Sequence, residues 1–103
     1  MSCAIVWSES AMDQVESIHE YLLEVAPSYA DKVVLDIIKT VNSTLNFPKI
    51  GPVEFTLNGT IEFRYLISRN WKILYSIKGI EIVIASVFDT RQNPLKMWKG
   101  LTD

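Results

Sequence analysis

The hydrophobic periodicity of the chain changes once, and this change constrains the fold more than any other feature. Between residues 11 and 45 the apolar side chains recur every three or four positions, which is the period of one helix face. Between residues 61 and 88 they alternate with polar side chains or run continuously, as they do in strands. Pro48 and Gly51 lie between the two regions and favour a turn. The sequence therefore predicts helices followed by a sheet.

The helical part is predicted to be a hairpin preceded by a short strand. The apolar run at residues 3–7 is typical of a strand, and either Ser8 or Ser10 can cap the helix that follows. Pro27 ends this helix or opens the next, because proline is tolerated only in a first helical turn. The second helix continues to the turn at residues 46–48. Because the link is so short, we expect two antiparallel helices.

The second half is predicted to form a sheet. Its strands are expected at residues 61–67, 71–77 and 80–88, and residues 53–57 are a candidate for a further edge strand that is not counted among these. The order of elements is β-α-α-β-β-β. This order predicts an α+β domain in which the N-terminal strand and the antiparallel helical hairpin pack with a small, mainly antiparallel sheet.

Composition limits the classes of protein to consider. With 103 residues and 49% apolar side chains, we expect one domain spanning residues 1–103. One cysteine and one histidine cannot build a disulfide framework or a multi-histidine site, and no phosphate-binding glycine motif is present, so neither a metal nor a cofactor is expected. No apolar run is long enough for a membrane span, and no signal peptide is recognisable. We therefore expect a soluble, cytoplasmic protein.

The basic residues are concentrated in the second half of the chain. The first fifty residues carry seven acids and three bases, whereas the rest carries seven bases and five acids. Arg64 and Lys72 occupy the polar phase of neighbouring strands, so we expect them on one sheet face, which Arg91 could reach from its end. Such a cluster stabilises a phosphate or a developing oxyanion. The alternative is that these cations are solubilising residues paired with Glu62 and Asp89.

Two further segments are candidates for binding a partner. The outer face of the first helix carries acids, including Glu16 and Glu20, and no base, which is typical of a solvated face or of a surface that docks a basic segment. The C-terminal segment contains Leu95, Lys96 and Trp98. There, Trp98 either folds back over the sheet or hairpin, or serves as a partner-binding anchor.

Five sequence features together resemble the RelE/ParE superfamily of bacterial type II toxins. They occur in the right order over nearly the whole chain. They are the strand and helix start with Trp7 and Ala11, the helix pair spaced by Pro27 and Ala30, the Leu45-x-x-Pro48-x-x-Gly51 turn, Arg64 before Trp-Lys-Ile-Leu-Tyr (Trp71 to Tyr75), and the closing segment from Val87 to Pro94.

The resemblance implies one of two activities on one fold. RelE-like toxins cut mRNA in the ribosomal A site with basic side chains and a tyrosine, whereas ParE-like toxins poison DNA gyrase and need no hydrolytic site. Both are held inactive in a hetero-oligomer with an antitoxin, usually a disordered segment that folds over the toxin. The resemblance implies that the toxin contacts DNA only through the antitoxin. By position, Lys72 and Arg91 take the places of two superfamily arginines, and Arg64 lies near a first basic strand residue.

Departures from the RelE pattern favour the ParE-like branch. The 61–67 strand has no paired lysines, Asp89 replaces a frequent histidine, no tyrosine follows Arg91, and the chain is net acidic, at −2. We therefore expect a gyrase inhibitor without catalytic residues. Target-binding residues are expected to be Arg64, Arg69, Lys72, Arg91, Lys96 and Trp98, and antitoxin-binding residues Glu16, Glu20, Leu95 and Trp98. Two alternatives remain, namely an mRNA endonuclease using Arg64, Lys72 and Arg91, and a degenerate, non-toxic antitoxin-binding module.

Overall fold

Two helices cover one face of a five-stranded sheet. The computed structural model describes residues 3–91. Its elements are β1 (Ala4–Trp7), α1 (Glu9–Val25), α2 (Pro27–Asn42), a 3-10 turn (Ser43–Leu45), β2 (Val53–Leu57), β3 (Ile61–Ser68), β4 (Trp71–Lys78) and β5 (Glu81–Asp89). This order confirms the predicted α+β architecture, and the candidate edge strand at residues 53–57 is present as β2.

The sheet is mainly antiparallel, as predicted. Its strand order is β1-β5-β4-β3-β2, so the first strand of the chain lies at one edge and β2 at the other. Among the strands of residues 3–91, β1 alone pairs in parallel, with Ile5 opposite Ile82 of β5. The remaining pairs are antiparallel neighbours in the chain. The helical hairpin carries the chain from β1 at one edge to β2 at the other, and the antiparallel strands β2 to β5 then bring β5 back beside β1 in the same direction.

Helix boundaries follow from local chemistry. Of the two serines considered, Ser8 is the N-cap of α1, because its side-chain oxygen accepts the N–H of Ala11 at 3.0 Å. Pro27 opens α2, where the N–H that proline lacks has no partner in the helix. The second helix ends at Asn42 and the 3-10 turn continues it to Leu45, one residue before the predicted turn.

The core lies between the hairpin and the sheet. Ile37 and Val41 of α2 are fully buried against Ile73, Tyr75 and Ile84 of the sheet, in one cluster of apolar side chains. The opposite face of the sheet is also apolar at its centre, since Leu74 is fully buried there. The alternation along β4 therefore separates two buried faces rather than a buried face from a solvated one.

Helix α1 is attached to β5 at a β-bulge. The register between β4 and β5 shifts near Ala85, which leaves this residue without a partner on β4. The Ser8 hydroxyl donates to the carbonyl of Ala85 at 3.0 Å, and the Gln14 Oε1 atom accepts the N–H of Val87 at 2.6 Å. The N-cap Ser8 and the α1 side chain of Gln14 thus bind backbone groups of β5 at the bulge and two residues beyond it.

The 46–52 loop, between the helices and β2, is held by two side chains of the sheet. The hydroxyl of the buried Tyr75 donates to the carbonyl of Pro48 at 2.8 Å and accepts the N–H of Gly51 at 2.9 Å. Arg64 Nη1 donates to the carbonyl of Gly51 at 2.7 Å. Gly51 is required by space, because a Cβ atom there would lie 2.3 Å from the carbonyl oxygen of Tyr65.

Candidate partner-binding site

An apolar groove runs between α1 and α2 on the outside of the hairpin. Its volume is about 760 Å³, and the exposed side chains of Met12 and Leu35 lie on opposite walls. The lining is mainly apolar and comprises Trp7, Met12, Val15, Val34, Leu35 and Ile38, together with Glu16, His19 and Asp31. A groove of this shape and chemistry fits the apolar face of an amphipathic helix.

The polar residues that line the groove are mostly acidic. His19 Nε2 lies 2.8 Å from Asp31 Oδ1, which joins α1 to α2 beside the apolar walls. Glu16 lines the groove and Glu20 is exposed one turn further along α1. Two residues predicted to bind a partner therefore lie at or next to a real groove. We call Glu16, Glu20 and Asp31 the acidic rim of the groove. A partner segment with apolar side chains inside the groove and cations beside the acidic rim is complementary to the site.

The basic cluster predicted for the sheet does not converge. Arg64 pairs with Tyr75, whereas Lys72 pairs with Ile67, three residues further along β3. Because side chains alternate between faces, Arg64 lies on the helix-covered face and Lys72 on the other. The expectation that both emerge on one face was wrong.

Arg64 is engaged with the 46–52 loop. Besides its bond to Gly51, its Nη1 atom lies 3.4 Å from the carbonyl of Lys49, and its Nη2 atom lies 3.5 Å from a Glu62 carboxylate oxygen. Burial raises the pKa of the neighbouring Tyr75 hydroxyl above its ordinary value, while the Gly51 N–H and the Arg64 charge act in the opposite direction. This tyrosine therefore stays protonated and serves the loop as both donor and acceptor.

Lys72 is neutralised on the second face of the sheet. Its Nζ atom lies 2.7 Å from Glu54 Oε2 and 4.3 Å from the centre of the Tyr65 ring. Both charged side chains are largely shielded from water, at 19% and 18% exposure. A partly buried ion pair of this kind holds the ammonium in one position, so its charge is directed at Glu54 rather than at a substrate.

Arg69 and Arg91, the other two described cations among the predicted target-binding residues, are also paired with acids. Arg69 lies in the turn between β3 and β4 and contacts Asp36 of α2 at 2.8 Å. Arg91 contacts Asp89 at 2.6 Å. Hydrogen bonds from the Arg91 side chain, and then from its backbone N–H, lower the pKa of Asp89 to about 2. The contacts of Arg64 with Glu62 and of Arg91 with Asp89 match the alternative in which these cations are solubilising residues paired with neighbouring acids.

Three predicted binding residues, Leu95, Lys96 and Trp98, lie outside the described residues. Between residues 3 and 91, no group of three His, Cys, Asp or Glu side chains is arranged to hold a metal ion. No helix in that same range is long and apolar enough to cross a membrane.

Sequence reasoning missed two parts of the surface. The helical periodicity of residues 11–45 does not single out Leu35 and does not separate Ile38 from the core residues of α2, but both line the groove. Phe47 was assigned only to a turn, yet it is strongly exposed. The signal for the groove was present, because α2 carries apolar residues around more than one face.

A family model matches the chain, and solved structures share its fold. Residues 5–94 match the family described as the ParE toxin of the type II toxin–antitoxin system parDE. A solved chromosomal ParDE toxin–antitoxin system from P. aeruginosa has a similar fold, with a TM-score of 0.72 and 20% identity over 84% of this chain and 95% of that one. A double-arginine mutant of the E. coli toxin RelE in the free state gives a TM-score of 0.62 and 15% identity, over 96% and 93%. No curated protein sequence matches the chain significantly.

Proposed function

Since the chain belongs to the ParE toxin family of type II toxin–antitoxin systems, we propose that it arrests growth by binding DNA gyrase, without covalent chemistry of its own. In this proposal a cognate antitoxin neutralises it in a hetero-oligomer, and contact with DNA occurs only through that antitoxin. Both partners act in the cytoplasm.

The state of the basic side chains supports binding rather than catalysis. A metal-free ribonuclease needs cations that converge on one phosphate and strengthen their contact as charge develops. Here Lys72 is paired with Glu54 on one face, while Arg64 is engaged with loop carbonyls on the other. Arg91 is paired with Asp89 at the end of β5. The separation of Arg64 from Lys72 is the observation that carries the proposal.

The hairpin groove supports the antitoxin part of the proposal. Antitoxin segments that fold on binding gain affinity by burying one apolar helix face. The groove offers such a surface between Met12 and Leu35, with Glu16 and Asp31 among its lining residues. We therefore expect the antitoxin to contribute an amphipathic helix whose flanks carry lysine or arginine.

A pair of assays with the purified protein tests the target. Added to a supercoiling reaction, the protein should inhibit gyrase and leave relaxed or cleaved DNA, whereas a translating extract should show no cleavage of mRNA. The antitoxin should abolish the inhibition when added in equal amount. The matched control is the preformed complex, which contains the same toxin with its groove occupied.

Other outcomes of these assays select the alternatives. Codon-periodic cuts in mRNA would establish the RelE-like endonuclease, and Arg91→Ala should then lower cleavage by roughly a hundredfold, as expected for a charge-stabilising group. If the protein neither inhibits gyrase nor causes mRNA cleavage but binds the antitoxin tightly, it is a degenerate, non-toxic module. Robust cleavage by the wild type that Arg91→Ala abolishes would disprove the gyrase proposal.

A further inference from the structure

The 46–52 loop presents the most exposed large apolar side chain between residues 3 and 91. Phe47 is 68% exposed, and Ile50, three residues later, is 52% exposed. Leu45 adds a third exposed apolar side chain at the start of the loop. A contiguous group of large apolar side chains costs free energy when it faces water, and such groups mark interaction sites.

The loop that carries these side chains is rigidly held. Tyr75 binds both Pro48 and Gly51 through one hydroxyl group, and Arg64 binds the Gly51 carbonyl. The N–H of Ile50 also donates to the carbonyl of Phe47 at 3.0 Å, which closes a tight turn. A loop already fixed in its bound conformation loses little entropy when it docks. The sheet therefore preorganises Phe47 for contact.

A cleft lined by three basic side chains adjoins the loop at Lys49. Lys49 and Lys78 are exposed and line a cleft of about 560 Å³ together with Arg64. Glu62 is the acid that lines the cleft, and it lies near Arg64. In the part of the chain that the structure describes, neither lysine forms an ion pair. Their charge is therefore available to a carboxylate of a partner.

Resting on the proposed function, we infer that the 46–52 loop is the surface that engages the toxin's target, and that this target is a folded protein presenting an apolar pocket rimmed by carboxylates. A strongly exposed phenylalanine on a rigid loop is suited to bind in an apolar pocket of a partner that is already folded. The hairpin groove is concave and suits a helix that folds on binding. The two surfaces thus serve two different partners.

Three variants test this inference in the full-length protein, namely Phe47→Ala, Lys49→Glu and, as a matched control, Tyr29→Ala. Tyr29 is a large aromatic side chain on α2, away from the loop, and it is 52% exposed. Each variant is induced in cells without antitoxin, and its dose for growth arrest, inhibition of supercoiling, affinity for the antitoxin and melting temperature are measured. Phe47→Ala and Lys49→Glu should each need at least ~10-fold more protein for growth arrest, while Tyr29→Ala should match the wild type. Antitoxin affinity and melting temperature should stay unchanged in all three.

Several results would overturn the inference. Growth arrest by Phe47→Ala at the wild-type dose would overturn it. A loss of antitoxin affinity as large as the loss of toxicity would also overturn it, because the loop would then belong to the antitoxin interface. If Phe47→Ala unfolds, Lys49→Glu decides, because an exposed lysine is not part of the core. Growth arrest without gyrase inhibition would disprove the gyrase proposal alone, and the loop would stand if both variants still lost toxicity. A wild type that arrests no growth would overturn both.

Discussion

Lys72 on β4 reaches over the ring of Tyr65 on β3 to the carboxylate of Glu54 on β2, so one ion pair ties three strands together. The nitrogen contacts a carboxylate oxygen at 2.7 Å and the aromatic ring at 4.3 Å. Charged contacts shielded from water are stronger than those on an open surface. Lys72 is therefore part of the structure of the sheet.

Removing either partner of this ion pair should destabilise the protein. Lys72→Met leaves a half-buried carboxylate without its cation, and Glu54→Gln leaves the ammonium without its anion. A double-mutant cycle in urea should give a coupling free energy of about 1 kcal/mol. Lys78→Met, an exposed lysine on the same strand, should change the unfolding free energy by less than about 0.5 kcal/mol. A coupling energy near zero would show that the contact contributes nothing.

Gly51→Ala should destabilise the protein through a steric conflict. The new methyl group would lie 2.3 Å from a backbone oxygen of β3, so either the 46–52 loop or the strand must move. Overpacking of this kind costs about 1–3 kcal/mol, and each kcal/mol lowers the melting temperature by roughly 4–8 °C in a domain of this size.

Gly59→Ala is the control for the steric effect. Gly59 has a φ of +71°, but a Cβ atom there would meet nothing within 4 Å, so only backbone strain is added. The loss of stability should be smaller than for Gly51→Ala. Equal losses would mean that the close approach at Gly51 is unimportant.

Asp89 should stabilise the folded protein at neutral pH and lose this contribution in acid. Its pKa of about 2 in the folded protein lies below the ordinary value of 3.8, so the contribution is fully present above about pH 4 and is lost as the pH falls towards 2. Arg91→Ala removes the largest cause and should raise the pKa of Asp89 towards 3.8, although the backbone N–H of residue 91 still donates. An NMR titration of the Asp89 carboxyl carbon measures this. Arg91→Lys should restore part of the shift, and an unchanged pKa in Arg91→Ala would refute the role of the guanidinium.

Reversing the charge of Glu16 and Glu20 should slow association with the antitoxin. If basic flanks of the antitoxin helix approach this acidic rim, the double change to lysine should lower the association rate at low salt by about tenfold and flatten its dependence on ionic strength. Stopped-flow mixing at several salt concentrations measures both quantities. Glu81→Lys, on the sheet, is the control. Unchanged rates at low salt would remove the rim from the interface.

The order of elements could be predicted from the sequence because local signals determine it. The change from helical to alternating periodicity, the turn around Pro48 and the link at Pro27 all act over a few residues. The register between β3 and β4 could also have been worked out. A two-residue turn at Arg69 and Asn70 places Ser68 opposite Trp71, and counting back from that pair puts Arg64 and Lys72 on opposite faces.

Other contacts depend on packing between distant segments and left no local signal. The register between β2 and β3 shifts between Val53 and Phe55, so the position of Glu54 relative to Lys72 cannot be obtained by counting from a turn. The bond from Val87 to Gln14 spans 73 positions in the chain. The groove is an intermediate case, because α2 shows its second apolar face in the sequence, where Val34 and Ile38 repeat with the same helical spacing as the buried Ile37 and Val41. Only the placement of α1 decides which apolar face of α2 it leaves open.

The attachment of α1 to the bulge in β5 has a mechanical consequence for any molecule that occupies the groove. Met12 and Glu16 flank Gln14 on the same helix, and the side chain of Gln14 holds the amide of Val87 in the sheet. The groove wall therefore cannot swing away from the sheet without releasing that amide to solvent. A helix bound in the groove restrains α1. Its binding should therefore slow amide hydrogen exchange at Val87, on the far side of α1.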